Sequence, residues 1–87
     1  MSTVHDLKIW PLQLDAVVGG SKRYEWRRND RNFEIGDVLR LREWNPTPAG
    51  GFYTDRAPVL AEITYITRGP DFGVPEGFAI LGIRVLQ

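Results

Sequence analysis

Alternation of side-chain type at period two is what most limits the folds open to this chain. From Lys22 to Arg28, the aromatics Tyr24 and Trp26 alternate with Glu25 and Arg27, as in a strand whose two faces differ in kind. From Val38 to Trp44, Leu39 and Leu41 alternate with Arg40 and Arg42. Val59 to Thr67 is rich in β-branched and aromatic residues, which fit a pleated surface. Phe78 to Leu86 reads as a last strand, with Gly82 marking a bulge or a close backbone approach. Val4 to Trp10 reads as a first, shorter strand.

One helix interrupts this series. Pro11 suits a first helical turn, where its missing N–H costs nothing. Apolar residues at 12, 14, 17 and 18 then follow a helical period, and Gly19-Gly20 stops it. About two turns cannot stand alone, so packing must hold this helix. Asn29 to Glu34 is a polar connector anchored by Phe33, and Ile35-Gly36-Asp37 is a turn. Asn45 to Gly51 is dense in turn residues and reads as an exposed, hairpin-like loop. Arg68 to Gly77 reads as a loop that packs through Phe72. The expected class is α+β, mainly β: a small, closed or nearly closed barrel of five to six strands with one short helix. Closure would remove exposed strand edges.

The 87 residues are expected to form one domain, 1–87, without a disulfide or a thiolate zinc site, because the chain has no cysteine. Its hydrophobic content of 43% is enough for one compact core. The N-terminus lacks a basic segment followed by an apolar run, and no stretch approaches the roughly 18 apolar residues of a membrane helix. The expectation is a soluble, cytoplasmic protein with no membrane association.

Charge is distributed unevenly. Lys22 to Arg31 holds five basic and two acidic residues, whereas the whole chain balances 11 against 11. A local positive field on a neutral protein points to an anionic ligand rather than to general stickiness. Lys22, Arg27 and Arg28 are the candidate anion-holding residues, because arginine's planar fork and lysine's compact charge both suit phosphate. Backbone N–H groups around Gly19 and Gly20 are candidate extra donors. Tyr24 and Trp26 offer faces for a stacked base, although such residues are more often core. Trp10 and Trp44 read as packing residues. The bland alternative is that Glu25 pairs with Arg27 or Arg40 as a structural ion network. His5, the single histidine, reads as structural unless it neighbours Glu25 or Lys22. No spacing of potential ligands selects a metal, no cofactor is implied, and neither Ser2 nor Ser21 has an evident base beside it.

The spacing of Gly20, Lys22, Glu25 and Arg27 resembles the signature of the ASCH family, a branch of the PUA-like superfamily. The preceding short helix and the following Phe33-Glu-Ile-Gly-Asp-Val-Leu39 also look like that family. His5-Asp-Leu-Lys-Ile9, Arg28-Asn-Asp-Arg31 and Leu41-Arg-Glu-Trp44 look like a compact bacterial and phage subgroup of unknown function. The resemblance implies a PUA-like pseudobarrel with a cleft beside the helix and a role with RNA or nucleotides. Some ASCH relatives are thought to hydrolyse acetylated nucleosides; they carry a threonine where this chain has Glu25.

Three functional readings follow. The first is an RNA- or nucleotide-binding module whose ligand-binding residues are Lys22, Tyr24, Glu25, Arg27 and Arg28. The second is a small hydrolase acting on modified nucleosides or RNA, with Lys22 and Glu25 as catalytic residues. The third is a protein-interaction domain with no nucleic-acid role.

Overall fold

The computed structural model describes residues 2–86; the first and last residues of the expected domain lie outside them. Six strands and one α-helix follow in the order β1 (Val4–Ile9), α1 (Pro11–Val18), β2 (Tyr24–Arg28), β3 (Val38–Thr47), β4 (Gly50–Tyr53), β5 (Val59–Arg68) and β6 (Phe78–Val85), with a 3-10 turn at Asp71–Gly73. All six strands belong to one sheet. The main path runs β1-β3-β5-β6-β2, with β4 pairing β3 off that path. β1 runs parallel to β3, and every other pair is antiparallel.

Among the described residues, β1 and β2 end the path without pairing with each other. The sheet therefore has an open seam between its first and last strands, and what holds it together there is side chain rather than backbone.

Alternation puts His5, Leu7 and Ile9 of β1 inward, beside Leu39 and Leu41 of β3. Leu14 and Val17 of α1 bury against the same core as Phe33, Ala61, Ile63, Leu81 and Ile83. Leu12 and Val18 stay exposed, so the helix docks by a narrower stripe than its sequence suggests. Burial of large aliphatic side chains contributes about 1.5–3 kcal/mol each, which is how a two-turn helix is held.

Several expectations change in detail. The hairpin expected from Asn45 forms, but its exposed turn is confined to Pro48-Ala49: β3 continues to Thr47 and returns as β4. Glycine permits this return, because a side chain at Gly51 would lie 2.5 Å from Trp44 Nε1. Phe72 does not anchor its loop. It is 95% exposed, and Val74 is the buried residue there. Gly82 faces a bulge: the β5–β6 register shifts between Ile63 and Tyr65, and a Cβ at Gly82 would crowd Thr64 Oγ1 at 3.3 Å.

A buried polar cluster sets the entry to β3. Asp37 accepts from the Thr3 N–H at 3.0 Å, the Glu34 N–H at 3.1 Å and His5 Nε2 at 2.8 Å. The His5 ring also meets Phe33 edge-on at 4.8 Å. Burial pushes the Asp37 carboxyl up, but these donors outweigh it and hold it below its ordinary value. His5 is thus structural: its partners are Asp37 and Phe33, not Glu25 or Lys22.

Candidate functional site: a cationic cleft at the open seam

The end of α1 aims the charged segment. Gly20 takes φ +85°, the left-handed conformation that glycine adopts without strain. The Lys22 N–H then bonds back to the Ala16 carbonyl at 3.0 Å, and the Ile83 N–H bonds to the Arg23 carbonyl at 3.1 Å. Lys22 is thereby fixed between helix and sheet immediately before β2 begins. The N–H groups of Gly19 and Gly20 are consumed by helix carbonyls of Asp15 and Val17. They are not the ligand donors expected from the sequence.

β2 then pairs with β6, with Glu25 beside Leu81 and Arg27 beside Ala79. Leu81 and Ala79 are fully buried, so Glu25 and Arg27 occupy the inward face. Glu25 is 3% exposed. Its Oε1 accepts from Lys22 Nζ at 2.6 Å and its Oε2 from Arg27 Nε at 2.8 Å. One buried carboxylate thus holds two cations. Arg27 Nη2 also donates to the Lys8 carbonyl at 2.6 Å, and Arg31 Nη1 donates to the Asp6 carbonyl at 2.7 Å. Both guanidinium groups reach from the β2 side of the seam to the edge of β1.

Above this seam lies a cleft of about 340 Å³, bounded by Lys8, Trp10 and Gln13 on one side and by Lys22, Tyr24, Trp26 and Arg27 on the other, with Glu25 also lining it. Three lining cations face one carboxylate, a positive balance in a concave site. Trp10, Tyr24 and Trp26 are 59%, 48% and 46% exposed. The core placement expected of Trp10, Tyr24 and Trp26 is therefore overturned. The inward face of β2 carries the ion cluster, which leaves the aromatics at the rim. Lys22 Nζ lies 5.4 Å from the Tyr24 ring centroid.

The structure brings Lys22, Tyr24, Glu25 and Arg27 together, but not Arg28. Arg28 is exposed and sits over Phe78, 5.0 Å from the ring centroid, outside the cleft lining. Arg40 pairs with Asp6 at 2.9 Å rather than with Glu25. Lys8, Trp10 and Gln13 are the cleft residues that sequence reasoning missed. Nothing local marks them: Lys8 lies on β1, which its pairing with β3 places, and Trp10 and Gln13 follow at the start of α1. Lys8 Nζ rests 3.9 Å from the Trp44 ring centroid, and Trp44 meets Tyr53 edge-on at 4.9 Å. The β3–β4 hairpin thus backs the cleft wall, and Trp44 is a packing residue as expected.

Chemically the arrangement is a clamp. Both Glu25 oxygens already accept from cations, and Lys22 Nζ donates to one of them. Hydrogens remain on the ammonium and on the outer guanidinium nitrogens, so the cluster can still donate to an anion. No three His, Asp or Glu side chains among the described residues converge as a metal-holding group. No helix among them is long and apolar enough to cross a membrane.

Fold and site together define a small, mainly β protein with a cationic, aromatic-rimmed cleft at the open seam of its sheet. Residues 4–83 match the family described as "Domain of unknown function (DUF3850)", and the chain belongs to that family. It is similar to the "Uncharacterized 12.9 kDa protein in GpA 3'region" of Escherichia phage P2, 42% identical over 67 residues. That match takes in 77% of this chain and 57% of the phage protein, so the chain covers little more than half of its relative's length.

Proposed function

We propose that this protein binds RNA or a nucleotide in the seam cleft, with a base against the rim aromatics and phosphate at Lys22, Arg27 and Lys8. The observation that carries the reading is the pairing of three exposed aromatic faces with a net-positive hollow. Base stacking on such faces contributes about 1–3 kcal/mol per base. Glu25 acts as a positioning residue: it holds two cations in one geometry before the ligand arrives, which lowers the ordering cost of binding. The same clamp favours holding an anion over turnover, because neither Glu25 oxygen is free of a cation.

The resemblance of Gly20, Lys22, Glu25 and Arg27 to the ASCH signature supports the same reading. On it, the sheet is a PUA-like pseudobarrel whose last seam is spanned by arginine side chains rather than by a backbone ladder.

Tryptophan fluorescence tests the proposal, since Trp10 and Trp26 both line the cleft. Titration with a short single-stranded RNA should quench emission, with an affinity that falls as salt rises. A Lys8→Gln, Trp26→Ala double variant should bind at least about tenfold more weakly. Equal affinity of the two proteins, or no binding at low salt, would sink the reading.

A further inference from the structure

Lys22 lines more than one hollow. It also borders a second, of about 360 Å³, between the end of α1 and strands β5 and β6. The walls there include Val18 and Val85, which are 51% and 41% exposed. Arg23 and Arg84 line the same hollow. Arg23 Nε donates to the Gly20 carbonyl at 3.1 Å, and Arg23 forms no ion pair among the described residues. Arg84 is paired with Glu62. The two hollows therefore share one cation, and the second adds two arginines beside an apolar wall.

We propose that the second hollow is a continuation subsite for single-stranded RNA. One nucleotide occupies the seam cleft, and the linking phosphate crosses at Lys22. The next sugar and base lie against Val18 and Val85, with Arg23 and Arg84 on the following phosphate. This inference rests on the reading of the seam cleft as a nucleotide site.

Charge and continuity support a strand over other occupants. An apolar peptide side chain would fit Val18 and Val85 but would leave Arg23 without an anion and make no use of the remaining donors of Lys22 and Arg84, whose carboxylate partners are Glu25 and Glu62. A polyanion satisfies all of them along one path. The hollows are concave and rimmed by side chains, so they suit bases that are unstacked rather than held inside a duplex.

Fluorescence titrations of the intact protein with an RNA mononucleotide, dinucleotide and tetranucleotide separate this inference from the one beneath it. The tetranucleotide should bind about tenfold or more tightly than the mononucleotide. Its log–log salt slope should steepen by about 0.7 for each added phosphate contact. Arg23→Gln and Arg84→Gln should each weaken tetranucleotide binding and reduce its slope by about 0.7, leaving the mononucleotide unchanged. If the mononucleotide binds but neither length nor these arginines matter, the second subsite is wrong and the cleft stands. If no RNA of any length quenches emission, the cleft reading falls and takes the subsite with it.

Discussion

Arg27 and Lys8 meet across the seam. The Arg27 guanidinium donates one way to the Glu25 carboxylate at 2.8 Å and the other way to the main-chain carbonyl of Lys8 at 2.6 Å. That side chain does at this point what a backbone ladder does elsewhere in the sheet, and it does so inside the cleft. On the proposed reading, stability and binding are therefore coupled through one residue. Arg27→Lys keeps the charge but cannot reach in both directions. Urea denaturation should show a loss of roughly 1–3 kcal/mol; a midpoint unchanged from the wild type would mean that the seam does not need the guanidinium fork.

Glu25→Gln distinguishes positioning from bulk charge. The variant makes the cleft more positive, so a purely electrostatic site should bind RNA better. If Glu25 instead holds Lys22 and Arg27 in place, RNA affinity should fall despite the added charge. Stability should also drop by roughly 1–3 kcal/mol, because two charge-assisted bonds to a buried acceptor are weakened. Parallel titration and denaturation read both effects.

Acid should weaken the fold through Asp37. Its carboxyl is held below the ordinary value in the folded state, so the folded protein binds that proton less readily than the unfolded chain. The contribution is fully present above the unfolded value of about 3.9 and is lost as pH falls through the folded value. Denaturation midpoints in the wild type should decline over that acidic range. Asp37→Asn should be less stable at neutral pH and should show a shallower decline; parallel curves for the two proteins would remove Asp37 as the source.

Trp26 and Trp44 should separate cleanly. Trp26→Ala removes an exposed rim face and should weaken RNA binding by about 1–3 kcal/mol, with stability within about 1 kcal/mol of the wild type. Trp44→Ala removes the support of Tyr53 and Lys8 and should destabilise the hairpin instead. Binding by the stably folded Trp26 variant at wild-type affinity would exclude that ring as a platform.

Gly69 and Gly73 occupy one loop but fail for different reasons. A Cβ at Gly69 would lie 1.9 Å from the Pro75 carbonyl oxygen, which is backbone and cannot swing aside. Gly69→Ala should cost roughly 2–4 kcal/mol. Gly73 has φ +80° with open space around it, so Gly73→Ala should cost about 1–2 kcal/mol from backbone conformation alone. Thermal denaturation should rank them in that order.

Period two was enough to place β2 and β3, β-branched and aromatic richness marked β5, Phe78 to Leu86 read as the last strand, and Pro11 with Gly19-Gly20 was enough to bound α1, because these signals act within a few residues. β4 was hidden. Its two glycines read as turn residues, and only the close approach of Gly51 to Trp44 explains why they lie in a strand. Arg28 carries the same charge as Arg27 but shares the outward face of β2 with Tyr24 and Trp26, and at the end of the strand it lies over Phe78, beyond the cleft lining.

From the sequence alone came two unlike faces on β2, a cation-rich segment and the helix that introduces it, since backbone propensity and local charge are properties of neighbours along the chain. Which face turns inward was decided only by tertiary structure. Pairing of Glu25 with Leu81 turns the carboxylate into the interior, where Lys22 and Arg27 offset its burial, and Tyr24 and Trp26 are left facing out. Folding also decided that Lys8 and Trp10 complete the cleft, because the parallel pairing of β1 with β3 carries them there across more than thirty intervening residues.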